Sequence, residues 1–143
     1  MLRLRLNAYP DLTGEPIVMV ATIDELFRVV RSNPFIDGLG YFVEVTTRRQ
    51  IGEADVERLT ARMQDDFCPH SQATLEGDNV LGLDFHEHIL TQGDDAEHYM
   101  HSLEALLRSV ERDHGVEHLC IELQFDFLRA RKAATELDEL LRP

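Results

Sequence analysis

The segment that most restricts how this chain can fold is "VEHLCIELQFDF", residues 116–127. Its apolar residues Leu119, Ile121, Leu123 and Phe125 alternate with residues that are mostly polar. Successive side chains of a β-strand point to opposite faces of the sheet. The pattern therefore predicts a strand with one buried and one solvated face, and the buried face needs a second layer of structure against it. The solvated side consists of His118, Cys120, Glu122, Gln124 and Asp126.

Four segments with helical periodicity can supply that second layer. Apolar residues recur at spacings of three and four in segments that start near residues 23, 53, 94 and 128. The first segment begins with Thr22 and Glu25 in the spacing of a capping box, which marks a helix start. We expect each apolar stripe to face the core. The stripe of the last helix, 128–141, consists of Ala130, Ala133, Ala134, Leu137, Leu140 and Leu141.

Further strands are predicted at residues 2–6, 15–22, 38–47 and 79–89, where short apolar runs or alternating residues occur. In the third of these, Tyr41, Val43 and Val45 are predicted to point together to one face. The combination predicts a single α+β domain over residues 1–143. Its mixed, mostly antiparallel sheet would have about four to six strands, with helices packed on one face.

The uncovered face of such a sheet is the first candidate for a binding surface. Neighbouring strands would bring their polar residues together there, although the sequence does not give the strand order. Arg3, Arg5 and Thr46 are expected on this face beside the candidate partner-binding residues. These candidates are Glu44, Asp84, His86, His88, His118, Glu122, Gln124 and Asp126.

The stretch "LDFHEHIL", residues 83–90, is the second candidate, because Asp84, His86 and His88 would share one face of a strand. Two histidines in an H-x-H arrangement can bind one metal ion. A third ligand is missing from the neighbouring sequence, and Leu90 stands where the helical H-E-x-x-H zinc motif requires histidine. A polar strand face is therefore favoured over a metal site, and no cofactor is predicted.

Charge and composition limit the class of partner. The chain has 27 acidic and 14 basic residues, a formal net charge of −13. Such a charge disfavours nucleic acid and anionic membranes and favours a basic protein. No apolar run approaches the roughly 20 residues that span a bilayer, and the start of the chain lacks the apolar part of a secretory signal. Cys68 and Cys120 form no C-x-x-C motif, and a cytoplasmic location is expected.

In length, acidity, scarcity of cysteine and an open polar face with Glu44, Asp84, Glu122 and Asp126, the chain resembles bacterial toxin-immunity proteins of contact-dependent growth inhibition. The resemblance implies a protein that is not an enzyme and that neutralises a cognate toxin, for example a nuclease, by stoichiometric binding. Two alternatives remain open. One is a small metal-dependent or acid–base enzyme that uses Asp84, His86 and His88. The other is a homo-oligomeric interaction module, such as a homodimer that pairs an edge strand.

Overall fold

The structure is a computed structural model that describes residues 3–6 and 15–141. In chain order the elements are β1 (Arg3–Leu6), β2 (Glu15–Ala21), α1 (Ile23–Ser32), β3 (Ile36–Thr47), α2 (Glu53–Asp66), β4 (Gln72–Gly77), β5 (Val80–Asp84), β6 (Ile89–Leu90), α3 (Ala96–His114), β7 (Val116–Phe125) and α4 (Phe127–Leu141).

The strands form one sheet in the order β1-β2-β7-β3-β5-β4, and the short β6 pairs with β3 as well. All pairings among the described strands are antiparallel, so the parallel pairs that a mixed sheet would allow do not occur in this part of the chain. The predicted α+β class is confirmed. The strand β1 lies at one end of the strand order.

The alternation that predicts β7 is confirmed, since Leu119, Ile121 and Leu123 are all almost completely buried. β7 lies between β2 and β3 in the middle of the sheet. Its inward residues pair with inward residues of both neighbours, for example Ile121 with Met19 on one side and with Val43 on the other. A central strand buried on one face needs apolar side chains at every second position, and the sequence provides them.

Helices α1, α2 and α3 join the inward side chains of the sheet in one hydrophobic core. The predicted capping box is present at the start of α1, where the Thr22 Oγ1 accepts from the Glu25 N–H at 3.2 Å. α1 ends at Ser32, and Pro34 follows two residues later, where the residue before a proline disfavours the helical conformation. α3 contributes the largest apolar stripe, which consists of Met100, Leu103, Leu106, Leu107 and Val110.

The predicted inward orientation of Tyr41 is wrong, because β3 is irregular at this point. Leu39 pairs with Leu123 and Val43 with Ile121, so four positions of β3 span only two of β7. The extra residues turn Tyr41 outward, and 51% of it is exposed. Its carbonyl oxygen accepts from the Phe85 N–H at 2.7 Å, which fixes the irregular segment to the chain beyond β5.

The expectation that α4 faces the core is also wrong. Leu137, Leu140 and Leu141 are 57%, 81% and 75% exposed, and none of the other described elements packs along the helix. The start of α4 is anchored, since the guanidinium of Arg129 lies 5.4 Å from the centre of the Phe35 ring and donates to the Pro34 carbonyl. In the described part of the chain, no helix combines the length and the apolarity needed to cross a membrane.

Candidate functional site

The face of the sheet opposite α1, α2 and α3 carries the predicted polar side chains, and we call it the open face. Its side chains on β7, β3 and β5 are half-buried or exposed, in contrast to their buried neighbours, and only the glycine positions among them are buried. The side chains of Arg3 and Arg5 lie outside the described residues. The described side chains of the open face include Val18, Val20, Phe42, Glu44, Thr46, Gln72, Thr74, Asp84, His118, Cys120, Glu122 and Gln124.

Four of the eight candidate residues are brought together as predicted, on the adjacent strands β7 and β3. Glu44 pairs with Cys120, and His118 pairs with Thr46 one step further along the same two strands. On β7, the Gln124 Nε2 donates to the Glu122 Oε1 at 3.1 Å, which holds this carboxylate along the strand. The middle of the open face is therefore acidic, with an imidazole at one end.

A shallow depression of about 240 Å³ lies between Glu44 and Glu122. Gly40 shapes it, because a Cβ at this position would lie 2.9 Å from the Cβ of Glu122, and its absence lets Glu122 cross over β3. Two carboxylates beside aromatic rings form an environment that suits a guanidinium or ammonium group. The depression is lined by Gly40, Tyr41, Phe42, Glu44, Cys120, Ile121 and Glu122.

Cys120 lies in this depression but has the wrong electrostatics for a nucleophile. Burial raises the pKa of its thiol, and the nearby carboxylate of Glu44 raises that pKa further. The reactive form of cysteine is the thiolate, so a raised pKa keeps Cys120 in the unreactive form near neutral pH. Its contribution to the open face is a small, weakly polar surface.

The structure separates Asp84, His86 and His88, so the prediction that they share one strand face is wrong. β5 ends at Asp84, whose Oδ1 accepts from the His86 N–H at 2.9 Å in a tight turn. His86 has a φ of 67°, a left-handed conformation that a strand does not contain. Only Asp84 stays on the open face, where it pairs with Phe42 of β3.

The two histidines have separate surroundings beyond this turn. The exposed ring of His86 lies 5.4 Å from that of His70, measured between ring centres. The ring of His88 meets Tyr41 edge-on at 5.8 Å, and its Nδ1 lies 3.3 Å from the Leu39 carbonyl oxygen. Among the residues that the structure describes, no group of three or more His, Cys, Asp or Glu side chains is arranged to hold a metal ion.

Asp126 is also placed apart from the open face, at the junction of β7 and α4. Its Oδ1 accepts from the Arg129 N–H at 2.9 Å, which caps the first turn of α4. Its own N–H donates to the Phe35 carbonyl at 2.9 Å. Asp126 therefore orients the last helix, and it does not extend the acidic cluster of Glu44 and Glu122.

Sequence reasoning missed Gly40, Tyr41 and Phe42, which form the walls of the depression. The available signal was the pair Gly38 and Gly40 within a predicted strand, since glycine in a strand often marks a bulge or a close approach of another chain segment. A second cleft of about 280 Å³ was also missed, because separate segments contribute to it. It is lined by Phe67, Cys68, Phe85, Glu87, His88, Ile89, Leu90, Asp95 and Tyr99.

Comparison of the chain with protein-family models, with curated proteins and with solved structures finds no match.

Proposed function

We propose that this protein acts by binding a basic protein partner through the open face, and that it belongs functionally with the toxin-immunity proteins. The observation that carries the proposal is the depression between Glu44 and Glu122. A lysine or arginine side chain of a partner could enter it and meet two carboxylates at once. Glu122 is already oriented by Gln124, so little freedom is lost when the partner binds.

The charge of the whole chain supports a basic partner. The formal net charge is −13, and the described side chains of β3, β5 and β7 on the open face include no Lys or Arg, whereas Arg3 and Arg5 pair with Val20 and Val18 at the β1 edge of the sheet. A field of one sign increases the rate at which an oppositely charged partner arrives, and it selects against acidic partners. The many ion pairs of the described chain, such as Arg108 with Asp24 and Arg31 with Glu104, lie on the helices instead.

The open face also has the general composition of a protein interface. Half-buried apolar side chains alternate with carboxylates across it, since Val18 pairs with Glu122 and Phe42 pairs with Asp84. Specific interfaces contain both apolar and polar side chains, and their affinity is concentrated in a few residues. An enzyme that uses Asp84, His86 and His88 gains no comparable support, because these side chains are dispersed.

For a toxin-immunity protein, the mechanism is occlusion. The groove of a nuclease is basic because it binds the phosphates of a nucleic acid. An acidic surface that contacts basic side chains around such a groove would exclude the substrate. The complex would have one copy of each protein, and its formation would slow at high salt, because salt screens the attraction.

The experiment is to co-express the protein with the product of the neighbouring upstream gene and to measure cell survival and binding. We expect survival, a 1:1 complex and a dissociation constant that rises with salt. The test variant is Glu44→Gln with Glu122→Gln, and its matched control is Glu53→Gln with Glu57→Gln on the exposed surface of α2.

Both double variants remove two negative charges, so they differ only in where the charge is lost. We expect the open-face variant to weaken binding by about tenfold or more, and the α2 variant to change it by only about twofold. Equal losses in both variants would mean that net charge, and not the open face, determines binding. If the neighbouring product is neither bound nor neutralised, the toxin-immunity proposal is wrong.

A further inference from the structure

His70 and His86 form a pair of imidazoles that the open face does not include. His70 lies in the loop between α2 and β4, and His86 lies in the turn after β5, yet their ring centres are only 5.4 Å apart. The ring planes are inclined by 53°, so the rings are not stacked face to face. Both side chains are exposed, so the pair is not part of the core. Two exposed imidazoles this close together can contact one ligand at the same time.

Hydrogen bonds hold the two loops against each other. The Ser71 Oγ, on a residue that is completely buried, donates to the Phe85 carbonyl oxygen at 3.3 Å. Ser71 follows His70 and Phe85 precedes His86, so this bond joins the immediate neighbours of the two histidines. The Ser71 carbonyl oxygen also accepts from the Gln64 Nε2 of α2 at 3.1 Å. The backbones of both histidines are therefore held close together before any ligand binds.

The backbone of His86 has an unusual conformation. Its φ is 67°, and no other non-glycine residue in the described part of the chain has a positive φ. Left-handed backbone costs free energy in most residues, and it occurs often at functional sites, where the surrounding structure maintains it. Here the Asp84 Oδ1 accepts from the His86 N–H at 2.9 Å and stabilises the turn. In this turn the His86 ring lies beside that of His70.

We propose that His70 and His86 together bind one divalent transition-metal ion of the class that imidazole suits, such as Zn²⁺, Ni²⁺ or Cu²⁺. The spacing of the rings supports this assignment. A zinc ion lies about 2.0–2.1 Å from an imidazole nitrogen, and therefore about 3.2 Å from the centre of that ring. Two rings on one tetrahedral ion then have centres about 5.2 Å apart. The observed distance of 5.4 Å agrees with this value.

The surroundings of the pair favour a weakly held, exchangeable ion. Exposed rings can rotate until one nitrogen of each faces the ion, and the net charge of −13 attracts cations. Among the residues that the structure describes, no third His, Cys, Asp or Glu side chain is arranged with the pair to hold an ion. Water would complete the coordination, so binding should be reversible. Mg²⁺ and Ca²⁺ require oxygen ligands, which the pair does not supply. This inference does not rest on the proposed function.

The first test is titration calorimetry of the full chain with Zn²⁺ alone, with Mg²⁺ as the comparison ion. The test variants are His70→Asn and His86→Asn, and the control variants are His88→Asn and His101→Asn. Asparagine tolerates the left-handed backbone of residue 86, and its amide is not among the usual zinc ligands. All four histidines are exposed, so each variant should fold. His88 lies in the same turn as His86, and His101 lies on α3.

We expect one Zn²⁺ per chain and no binding of Mg²⁺ by the pair. Each test variant should bind Zn²⁺ about tenfold or more weakly, because loss of a group that only orients a ligand already costs about that much. Each control variant should change the affinity by no more than about twofold. No Zn²⁺ binding up to about 1 mM would overturn the proposal. Unchanged affinity in His70→Asn would also overturn it, and so would equal losses in all four variants.

The second test distinguishes imidazole from carboxylate ligands. An imidazole binds a metal only when it is neutral, and histidine gains its proton near about pH 6.5, whereas carboxylates stay ionised down to about pH 4. The affinity for Zn²⁺ should therefore fall by about tenfold or more between about pH 7.5 and about pH 5.5. An affinity that is unchanged over this range would overturn the proposal, because carboxylates would then hold the ion.

The third test locates the ion by nuclear magnetic resonance. Paramagnetic Cu²⁺, added well below one equivalent, broadens the signals of the groups nearest to it. We expect the ring signals of His70 and His86 to broaden together, before those of His88, His98 and His101. Broadening of His86 with His88 instead would assign the ion to the H-x-H pair, and the proposal would be wrong.

Discussion

The helices α3 and α4 have the same kind of sequence and opposite surroundings. Leu103, Leu106 and Leu107 of α3 are completely buried, whereas Leu137 and Leu140 of α4 are mostly exposed. Both helices have leucines at spacings of three and four, and both stripes are predicted to face the core. The difference teaches that an apolar stripe in the sequence predicts a contact surface on a helix, but the stripe alone does not show that this surface packs on the core of its own chain.

The reason for the difference lies in the order of the elements. α1, α2 and α3 together cover the inward face of the sheet, and they precede the last strand, β7. α4 follows β7, and its start is held through Asp126 and Arg129. Its leucines Leu137, Leu140 and Leu141 are exposed, and the open face is a separate acidic surface.

The largest expected effect comes from shortening one leucine in each helix. Leu106→Ala should lower the free energy of unfolding by about 2–5 kcal/mol, because it leaves a cavity in the core. Leu137→Ala should change it by less than about 0.5 kcal/mol in dilute protein, because the side chain is exposed. Urea unfolding at low protein concentration measures both. A similar loss for both variants would show that α4 packs on its own chain.

Removing the residue that caps the start of the helix should affect α4 more than α3, which is the reverse of the order expected for the leucine substitutions. Asp126 accepts a backbone N–H of α4, whereas Asp95, the cap residue of α3, makes no such side-chain hydrogen bond. Asp126→Ala should destabilise α4 by about 1 kcal/mol, seen as faster amide exchange in that helix alone. Asp95→Ala should leave the exchange of α3 unchanged, since packing holds α3. Unchanged exchange of α4 in Asp126→Ala, or faster exchange of α3 in Asp95→Ala, would contradict this distinction.

Adjacent residues of β7 extend the comparison to the two faces of the sheet. Leu123 points into the core, and Glu122 and the cross-strand Glu44 occupy the open face. Glu44→Lys should shift the free energy of unfolding by less than about 0.5 kcal/mol, as an exposed substitution does. Thermal unfolding provides the measurement. A loss as large as that expected for a core truncation such as Leu123→Ala would show that the open face is covered.

The smallest effect concerns the thiol of Cys120. Burial and the charge of Glu44 both raise the pKa of this thiol in the folded chain, so less thiolate is present than in the unfolded chain. Removing the charge by Glu44→Gln should lower the pKa and speed alkylation, while burial should keep the rate below that of unfolded protein. The rates can be compared at about pH 8.5, near the usual thiol pKa, with Cys68→Ala removing the other thiol. Equal alkylation rates of Cys120 with and without Glu44→Gln would mean that the Glu44 carboxylate lies too far from the sulfur to affect its pKa.

The sequence predicts what depends on local periodicity and misses what depends on pairing between distant segments. The core-facing residues of β7 and the capping box at Thr22 are confirmed, because residues close to them in the sequence determine both features. The outward turn of Tyr41 depends on how β3 pairs with both β7 and the segment after β5. Leu83, Phe85 and Ile89 are buried, but the strand ends at Asp84 and a turn leads from it to Ile89, so the predicted strand 79–89 is not continuous.

The candidate site was predictable to the same extent. The alternation of side chains along a strand is enough to predict four residues of the open face, and the structure places them together there. These residues are Glu44, His118, Glu122 and Gln124. His86 and His88 do not, because Asp84 accepts the His86 N–H and ends the strand. The depression beside Gly40 requires the register of β3 with β7, which no local pattern contains.

The most direct test of the contrast between α3 and α4 is amide hydrogen exchange of both helices in dilute protein. At about 5 µM we expect slow exchange in α3 and fast exchange in α4, since the leucines of α3 are buried in the core and those of α4 are exposed. Equal protection of the two helices would contradict the account.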